Sequence, residues 1–195
     1  ESPSTLDAHV VFEAVNDRGL PLSESERMKN YVLSRAAFAG VYQEVHELWR
    51  AELAKRGLEV RLEVDPAAQV WADRQQLQQV LINLVQNAAE STPAGGTLTL
   101  GVRQGAAKLF KRTEPMVLFE VTDTGKGIPA EAEPRIFDPF FSTKEGGSGL
   151  GLSIAARITE LHGGHLQFAT RLGRGTTFTV VLPKTRSHAS KHSAG

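Results

Sequence analysis

Two glycine-rich segments constrain this chain more than any other feature of its sequence. The first runs Asp123-Thr-Gly-Lys-Gly-Ile128, and the second ends in Gly146-Gly-Ser-Gly-Leu-Gly-Leu152. Glycine lets backbone N–H groups approach an anion closely, and the second segment opens directly onto a helical pattern, whose N-terminus adds a positive dipole. An aromatic and proline-containing stretch, Phe137-Asp-Pro-Phe-Phe141, lies between them. The pattern predicts a fold that holds a polyphosphate group against backbone N–H groups.

Composition excludes several classes of function. The 195 residues carry 22 Lys and Arg against 22 Asp and Glu, so no field of one sign favours nucleic acid or an anionic membrane surface as a partner. No apolar run has the length of a membrane span, and the absence of Cys excludes disulfides and thiolate metal sites. We expect a cytoplasmic chain without direct membrane contact, although a longer parent protein can be membrane-anchored.

Hydrophobic periodicity predicts a mixed α/β domain. Asp73 can cap a helix in which apolar residues recur on one face, at Leu77, Val80, Leu81, Leu84, Val85 and Ala88. Further helices are predicted over Glu24–Ala37, Val41–Leu53 and Ser148–His162, the last ending at Gly163. Alternation predicts strands over Leu58–Val64, Thr97–Arg103, Val117–Asp123, His165–Arg171 and Thr176–Pro183. We therefore predict an extension or linker over residues 1–40, one domain over 41–184 and a disordered tail over 185–195.

Five ordered blocks resemble the ATP-binding catalytic domain of sensor histidine kinases, within the superfamily that includes the gyrase, heat-shock-90 and mismatch-repair ATPases. The blocks are Asn83-Leu-Val-Gln-Asn87-Ala-Ala-Glu90, Asp123-x-Gly-x-Gly127, Phe137-Asp-Pro-Phe-Phe141, Gly147-x-Gly-Leu-Gly-Leu152, and Gly173-Arg-Gly-Thr-Thr-Phe178 with Leu182-Pro183. A single Gly-x-Gly would be weak, but order and spacing together are specific. The resemblance implies a Bergerat-type fold, a two-layer α/β sandwich with a mixed sheet of about five strands and helices on one face.

The resemblance implies that ATP and Mg²⁺ bind at these blocks. Asn83 and Asn87 lie four residues apart on one helix face, and an amide oxygen suits Mg²⁺, so we assign the metal to Asn87, with Asn83 beside it in the catalytic site. Asp123 ends a strand, where its carboxylate can accept the exocyclic amine of adenine and repel the carbonyl of guanine. Either asparagine could also simply hydrogen-bond a neighbouring loop.

The remaining predicted contacts lie around the two glycine turns. Gly125, Gly127 and Ile128 would border the nucleotide, although the two glycines also fit an ordinary turn after a strand. Near the phosphates we place Gly147, Gly149, Leu150 and Gly151, at the mouth of the predicted helix. Lys144, which we place in the catalytic site, could add charge to the phosphates, or be a solvated lysine, and Thr177 could touch the pocket, or be only a strand residue. Residues 126–148 correspond to the lid that closes over ATP in the family.

Histidine kinases transfer phosphoryl to a histidine on a dimerisation domain, and such a domain is not apparent in this sequence. His46-Glu47-Leu48 resembles the acceptor motif but lacks its proline and lies 41 residues before Asn87, too close for an acceptor helix pair. The partners implied are therefore a separate phosphoacceptor domain and, through it, a response regulator, with this chain a monomer. Two alternatives stay open. One is a nucleotide-binding regulatory module, and the other is a gyrase-type ATPase, which Asn83 disfavours because a glutamate base is expected there.

Overall fold

The computed structural model describes residues 45, 47, 49–65, 68, 70, 72–109, 112–144 and 146–184. The predicted helix over Glu24–Ala37, the candidate acceptor His46 and the predicted tail over Thr185–Gly195 lie outside the described residues. Helix α1 is described at residues 45, 47 and 49–55, and it ends before Gly57, which has a φ of 68°. The other elements are β1 Glu59–Val64, α2 Arg74–Ser91, β2 Thr97–Leu109, β3 Arg112–Asp123, α3 Gly151–Leu161, β4 His165–Arg171 and β5 Gly175–Pro183, with a short 3-10 helix at Glu133–Arg135.

The five strands form one mixed sheet in the order β1-β2-β3-β5-β4. Strand β1 runs parallel to β2 across the α2 connection, and the other neighbours are antiparallel. On β3, Val117, Phe119 and Val121 are fully buried beneath α2. On the opposite face Arg103 and Glu120 form an ion pair between β2 and β3 that remains partly exposed. The helices therefore cover one face, which confirms the predicted two-layer sandwich.

Helix α2 is the centre of the helical layer. Each apolar residue predicted for its buried face is buried, and Asp73 caps the helix by accepting a hydrogen bond of 3.0 Å from the Gln76 backbone N–H. Helix α3 packs beside α2. No helix in the described part of the chain is both long enough and apolar enough to cross a membrane.

Strands β2 and β3 are longer than predicted. Their antiparallel register extends from Leu98↔Asp123 to Leu109↔Arg112, so β2 continues past Arg103 and β3 begins before Val117. The added part contains Gly105, two alanines and Pro115, which have low strand propensity and hide the alternation in the sequence. Pairing along the hairpin, rather than side-chain pattern, therefore sets these strand ends.

Helix α3 begins three residues later than predicted, at Gly151 rather than Ser148. The reason is the backbone of Gly149, whose φ of 68° lies outside the right-handed helical region. The segment before α3 is therefore a glycine turn that leads into the helix, and Leu150 is the N-cap residue.

His162 connects the C-terminus of α3 to the N-terminus of α2. Its ring Nε2 lies 3.0 Å from the Asp73 backbone nitrogen, and Nδ1 lies 2.8 Å from the Ile158 carbonyl oxygen. Since a carbonyl can only accept, Nδ1 carries the proton and Nε2 accepts from Asp73. The same histidine thus fixes the cap residue of α2 and the last turn of α3.

We predict that His162→Ala lowers the free energy of unfolding by about 1–3 kcal/mol, because the Asp73 N–H loses its acceptor and the two helix ends lose a shared contact. Urea unfolding followed by circular dichroism measures this loss. His165→Ala is the matched control, since His165 is exposed at the start of β4. Equal stability of the two variants would contradict a connecting role for His162.

Candidate functional site

A cavity of about 1090 Å³ lies between the exposed face of α2, the end of β3, the lid (residues 126–148) and the first turn of α3. Most of the predicted site residues line it: Asn83, Asn87, Asp123, Gly127, Ile128, Lys144, Gly147, Gly149, Leu150 and Gly151. Gly125 and Thr177 are not among the lining residues. One connected space therefore brings together residues that are far apart in sequence.

Asp123 is a buried carboxylate at the end of β3, with 3% of its surface exposed. Its Oδ1 accepts hydrogen bonds from the backbone N–H groups of Gly125, at 2.8 Å, and Thr176, at 3.3 Å. Burial raises the pKa of Asp123 above its ordinary value, although these two N–H groups and the nearby Lys144 ammonium oppose the rise. No hydrogen bond to Oδ2 is found in the described part of the chain, so this oxygen can still accept a donor from a ligand in the cavity.

The two glycines after Asp123 are required by contacts within the protein. A Cβ on Gly125 would lie 2.4 Å from the Ser91 carbonyl oxygen, and a Cβ on Gly127 would lie 2.5 Å from that of Arg171. Gly127 also has a φ of 73°, which favours glycine. The turn thus packs closely against the end of α2 and the end of β4. These contacts hold the neighbouring Asp123 and Ile128 in place.

Thr176, rather than Thr177, lines the cavity. Along β5 side chains alternate between faces, and the Thr177 hydroxyl pairs with that of Thr122 across the β3–β5 ladder at 3.0 Å. Thr176 is 5% exposed and its hydroxyl lies 3.0 Å from that of Thr170, which in turn accepts from the Ile128 N–H. The role predicted for Thr177 stays a prediction, and the geometry favours its neighbour Thr176, which lies on the same face of β5 as the cavity-lining Phe178.

The lid meets the glycine turn before α3 at Gly149. A Cβ there would lie 2.4 Å from the Phe140 carbonyl carbon, and the Phe140 N–H donates to the Gly149 carbonyl oxygen at 3.0 Å. Phe140 itself has a φ of 66° and is 73% exposed. Phe137 and Phe141 instead pack against the core, Phe137 edge-on to Phe168 and Phe141 beneath the Arg135 guanidinium. Only the middle aromatic of this block therefore faces solvent.

The N-terminus of α3 opens into the cavity without a side-chain cap. Leu150 at the N-cap position makes no capping hydrogen bond, so the first N–H groups of α3 have no partner within the helix. Asn83 donates from Nδ2 to the Gly151 carbonyl oxygen at 3.1 Å and accepts at Oδ1 from Gln79, also at 3.1 Å. Asn83 thus joins α2 to the first residue of α3, and Gln79, one turn earlier on the same helix face, extends this contact.

Asn87 faces a cation supplied by the lid. The Lys144 ammonium lies 3.1 Å from Asn87 Oδ1, 3.4 Å from the Asn87 carbonyl oxygen and 2.7 Å from Glu90 Oε2. Burial opposes ionisation of Glu90, but hydrogen bonds from Lys144 and Gln86 hold the pKa of Glu90 below its ordinary value. Glu90 belongs to the Asn83–Glu90 block, yet its residue type alone gave no reason to place it at the site.

The residues present fit Mg²⁺ bound largely through a nucleotide. Asn87 Oδ1 and Glu90 Oε2 already converge on one positive charge, as ligands of a hard cation do. Among the described residues, no group of three or more His, Cys, Asp or Glu side chains converges to form a site built from protein ligands alone. A metal at Asn87 would therefore take most of its ligands from phosphate oxygens and water.

Comparison with known proteins finds similarity to bacterial sensor proteins. The sensor kinase CckA of Brucella abortus is 43% identical over 140 residues, which cover 66% of this chain and 15% of that protein. The sensor protein FixL of Bradyrhizobium diazoefficiens is 37% identical over 142 residues, covering 72% of this chain and 27% of that protein. The chain thus spans only a small part of the curated relatives that it matches.

Solved structures of similar proteins share the fold. The catalytic domain of histidine kinase ThkA in a nucleotide-free form superposes with a TM-score of 0.63 at 35% identity, over 76% of this chain and 93% of that one. Full-length ShkA in complex with AMPPNP gives a TM-score of 0.62 at 33% identity, over 74% of this chain and 29% of that one. The family described as histidine kinase-, DNA gyrase B-, and HSP90-like ATPase matches residues 72–186, and the chain belongs to this family.

Proposed function

We propose that this chain binds ATP with Mg²⁺ and presents the γ-phosphoryl group to a histidine on a separate phosphoacceptor domain, from which a response regulator receives it. The observation that carries the proposal is one cavity with a buried carboxylate at one side, Asp123, and an uncapped helix N-terminus at the other, α3. A carboxylate acceptor suits the amine of adenine, and free N–H groups at the positive end of a helix suit phosphate oxygens.

In this proposal, each part of the site contacts the part of the ligand that its hydrogen-bonding groups match. Asp123 Oδ2 accepts the adenine amine, while its Oδ1 stays bonded to Gly125 and Thr176. The N–H groups of α3 and of the glycine turn hold the phosphates, and Asn87 Oδ1 binds the metal. When bound, Mg²⁺ supplies positive charge to the phosphates. Catalysis is then mostly positioning and charge neutralisation.

The acceptor histidine is proposed to lie on another domain because the described histidines are remote from the cavity. These are His162 and His165, and neither is among the lining residues. The structural similarity to the histidine kinase ThkA supports a histidine acceptor, and the greater length of CckA and FixL leaves room for that domain.

Transfer to a protein, rather than rapid hydrolysis, is favoured by Asn83. In the gyrase-type enzymes that this sequence resembles, a glutamate base occupies the corresponding position. An amide cannot take a proton from water at neutral pH, and both ends of the Asn83 amide are bonded to Gln79 and Gly151.

We predict that the chain binds ATP more tightly than GTP and that Asp123→Asn weakens ATP binding by roughly ten- to a hundredfold, because a donor replaces the Oδ2 acceptor. Isothermal titration calorimetry with each nucleotide measures both effects. Glu131→Gln, at an exposed lid carboxylate, controls for the loss of charge. Failure of the folded wild-type chain to bind ATP would overturn the proposal.

The same variant is expected to be more stable than wild type at neutral pH. Because burial raises the pKa of Asp123 in the folded chain, ionisation of this group opposes folding above that pKa, and below the unfolded pKa of about 3.9 both states are protonated. The stability gain of Asp123→Asn should therefore be largest above the folded-state pKa of Asp123 and shrink as pH falls towards about 4. Urea midpoints over this range test the sign, and a gain that grows in acid would contradict the assignment.

Asn87→Ala is predicted to remove the metal-dependent part of ATP binding. In wild type Mg²⁺ should tighten ATP binding, and in the variant that gain should fall by roughly tenfold or more, because the amide ligand is lost. Titrations with ATP in the presence of Mg²⁺ or of EDTA measure the gain. Gln75→Ala, at an exposed position on the same helix that does not line the cavity, is the control, and an equal gain in Asn87→Ala and wild type would place the metal elsewhere.

A further inference from the structure

The ion pair between Lys144 and Glu90 joins the lid to α2 at the metal position. Lys144 donates to Glu90 Oε2 at 2.7 Å and to Asn87 Oδ1 at 3.1 Å, while Gln86 holds the second Glu90 oxygen at 3.0 Å. The two charged side chains are only 25% and 33% exposed. Such a pair is screened less than a surface pair and contributes more to holding its two segments together.

The lid backbone presents Lys144 in a defined orientation. The Ser142 hydroxyl accepts from the Lys144 N–H at 3.0 Å and donates to the Lys144 carbonyl oxygen at 3.1 Å. The Gly147 N–H bonds the same carbonyl oxygen at 3.2 Å, and a Cβ on Gly147 would lie 2.5 Å from the Ser142 oxygen. The turn that carries Lys144 is therefore continuous with the phosphate-facing glycines, so movement of one requires movement of the other.

The ammonium and a metal ion compete for the same oxygen. Mg²⁺ binds its ligands at about 2.1 Å, and a doubly charged ion on Asn87 Oδ1 would lie too close to the Lys144 ammonium for both to remain. Lys144 must leave Asn87 when the metal binds.

We propose that Glu90 is a positioning residue that holds Lys144 against Asn87 in the nucleotide-free chain, and that Mg²⁺–nucleotide binding exchanges this ammonium for the metal. The exchange rests on the proposed ATP and Mg²⁺ site, whereas the lid contact through Glu90 does not. In the nucleotide-free state Lys144 balances the charge of Glu90 and keeps the lid on α2. When Mg²⁺ and the nucleotide bind, Lys144 loses its contact with Asn87, and the hold of α2 on the lid weakens.

Hydrogen exchange of the nucleotide-free full chain, followed by mass spectrometry, tests the contact. Glu90→Gln and Lys144→Met should each speed exchange in the lid peptide spanning residues 140–150 by roughly three- to tenfold, since the lid opens more often. Glu131→Gln removes an exposed lid carboxylate and should leave that exchange at the wild-type rate. Unchanged exchange across α2 shows that the variants remain folded, and unchanged lid exchange in Glu90→Gln would overturn the proposed positioning role.

The metal dependence of ATP affinity tests the exchange. The ratio of the ATP dissociation constant without Mg²⁺ to that with Mg²⁺ should rise by roughly threefold or more in Lys144→Met, because the competing cation is gone. Lys126→Met, which removes a different lysine lining the cavity, controls for lost charge and should not raise the ratio. An unchanged or lower ratio in Lys144→Met would overturn competition at Asn87.

These experiments distinguish a failure of the proposed Glu90 role from a failure of the proposed ATP site. If the wild-type chain binds ATP but Glu90→Gln leaves lid exchange unchanged, the positioning role of Glu90 is wrong and the ATP site stands. If Glu90→Gln loosens the lid while the wild-type chain binds no ATP, the lid contact is real and the proposed function, with the exchange that depends on it, is wrong.

Discussion

The Asp123 carboxylate is the interaction on which the geometry of the site depends. Its Oδ1 is bonded to N–H groups from two segments, the glycine turn after β3 and the start of β5. These bonds stabilise an ion that burial would otherwise make unfavourable. Two pieces of backbone therefore meet at one oxygen of a residue that lines the cavity, and the carboxylate is held in a fixed position. A ligand donor is bound best by the ionised carboxylate, whereas burial makes that ionised form unfavourable in the folded chain. Such a conflict is common for a buried ionisable group at a binding site.

Around this carboxylate, the glycines are needed mainly for close contacts between backbone segments of the protein. Gly125, Gly127 and Gly149 each bring one backbone segment so near another that a Cβ would clash. They fix the distances between α2, the lid and the ends of the strands. The N–H groups of the glycine turns are thus placed by close packing of backbone on backbone, a contact that no other residue type allows.

The sequence was sufficient to predict the sheet and α2 with its cap, and most of the site residues predicted from it line the cavity, because periodicity and glycine spacing report directly on these features. It was insufficient for the ends of β2 and β3, where pairing extends through Gly105 and Pro115 against local propensity. It also favoured Thr177 over Thr176, since which face a strand residue occupies depends on register. Glu90 and Gln79 were not identified as site residues because their roles come from contacts with Lys144 and Asn83, and such pairings are set by tertiary structure.

Phe140 places backbone strain in the lid. A non-glycine residue with a φ of 66° is held in an unfavourable backbone conformation, at about 1 kcal/mol, and its ring, 73% exposed, recovers little of this by burial. The loop therefore stores a small amount of backbone strain at Phe140. A change in the loop conformation that relieves this strain lowers the free-energy cost of opening the lid by about the same amount.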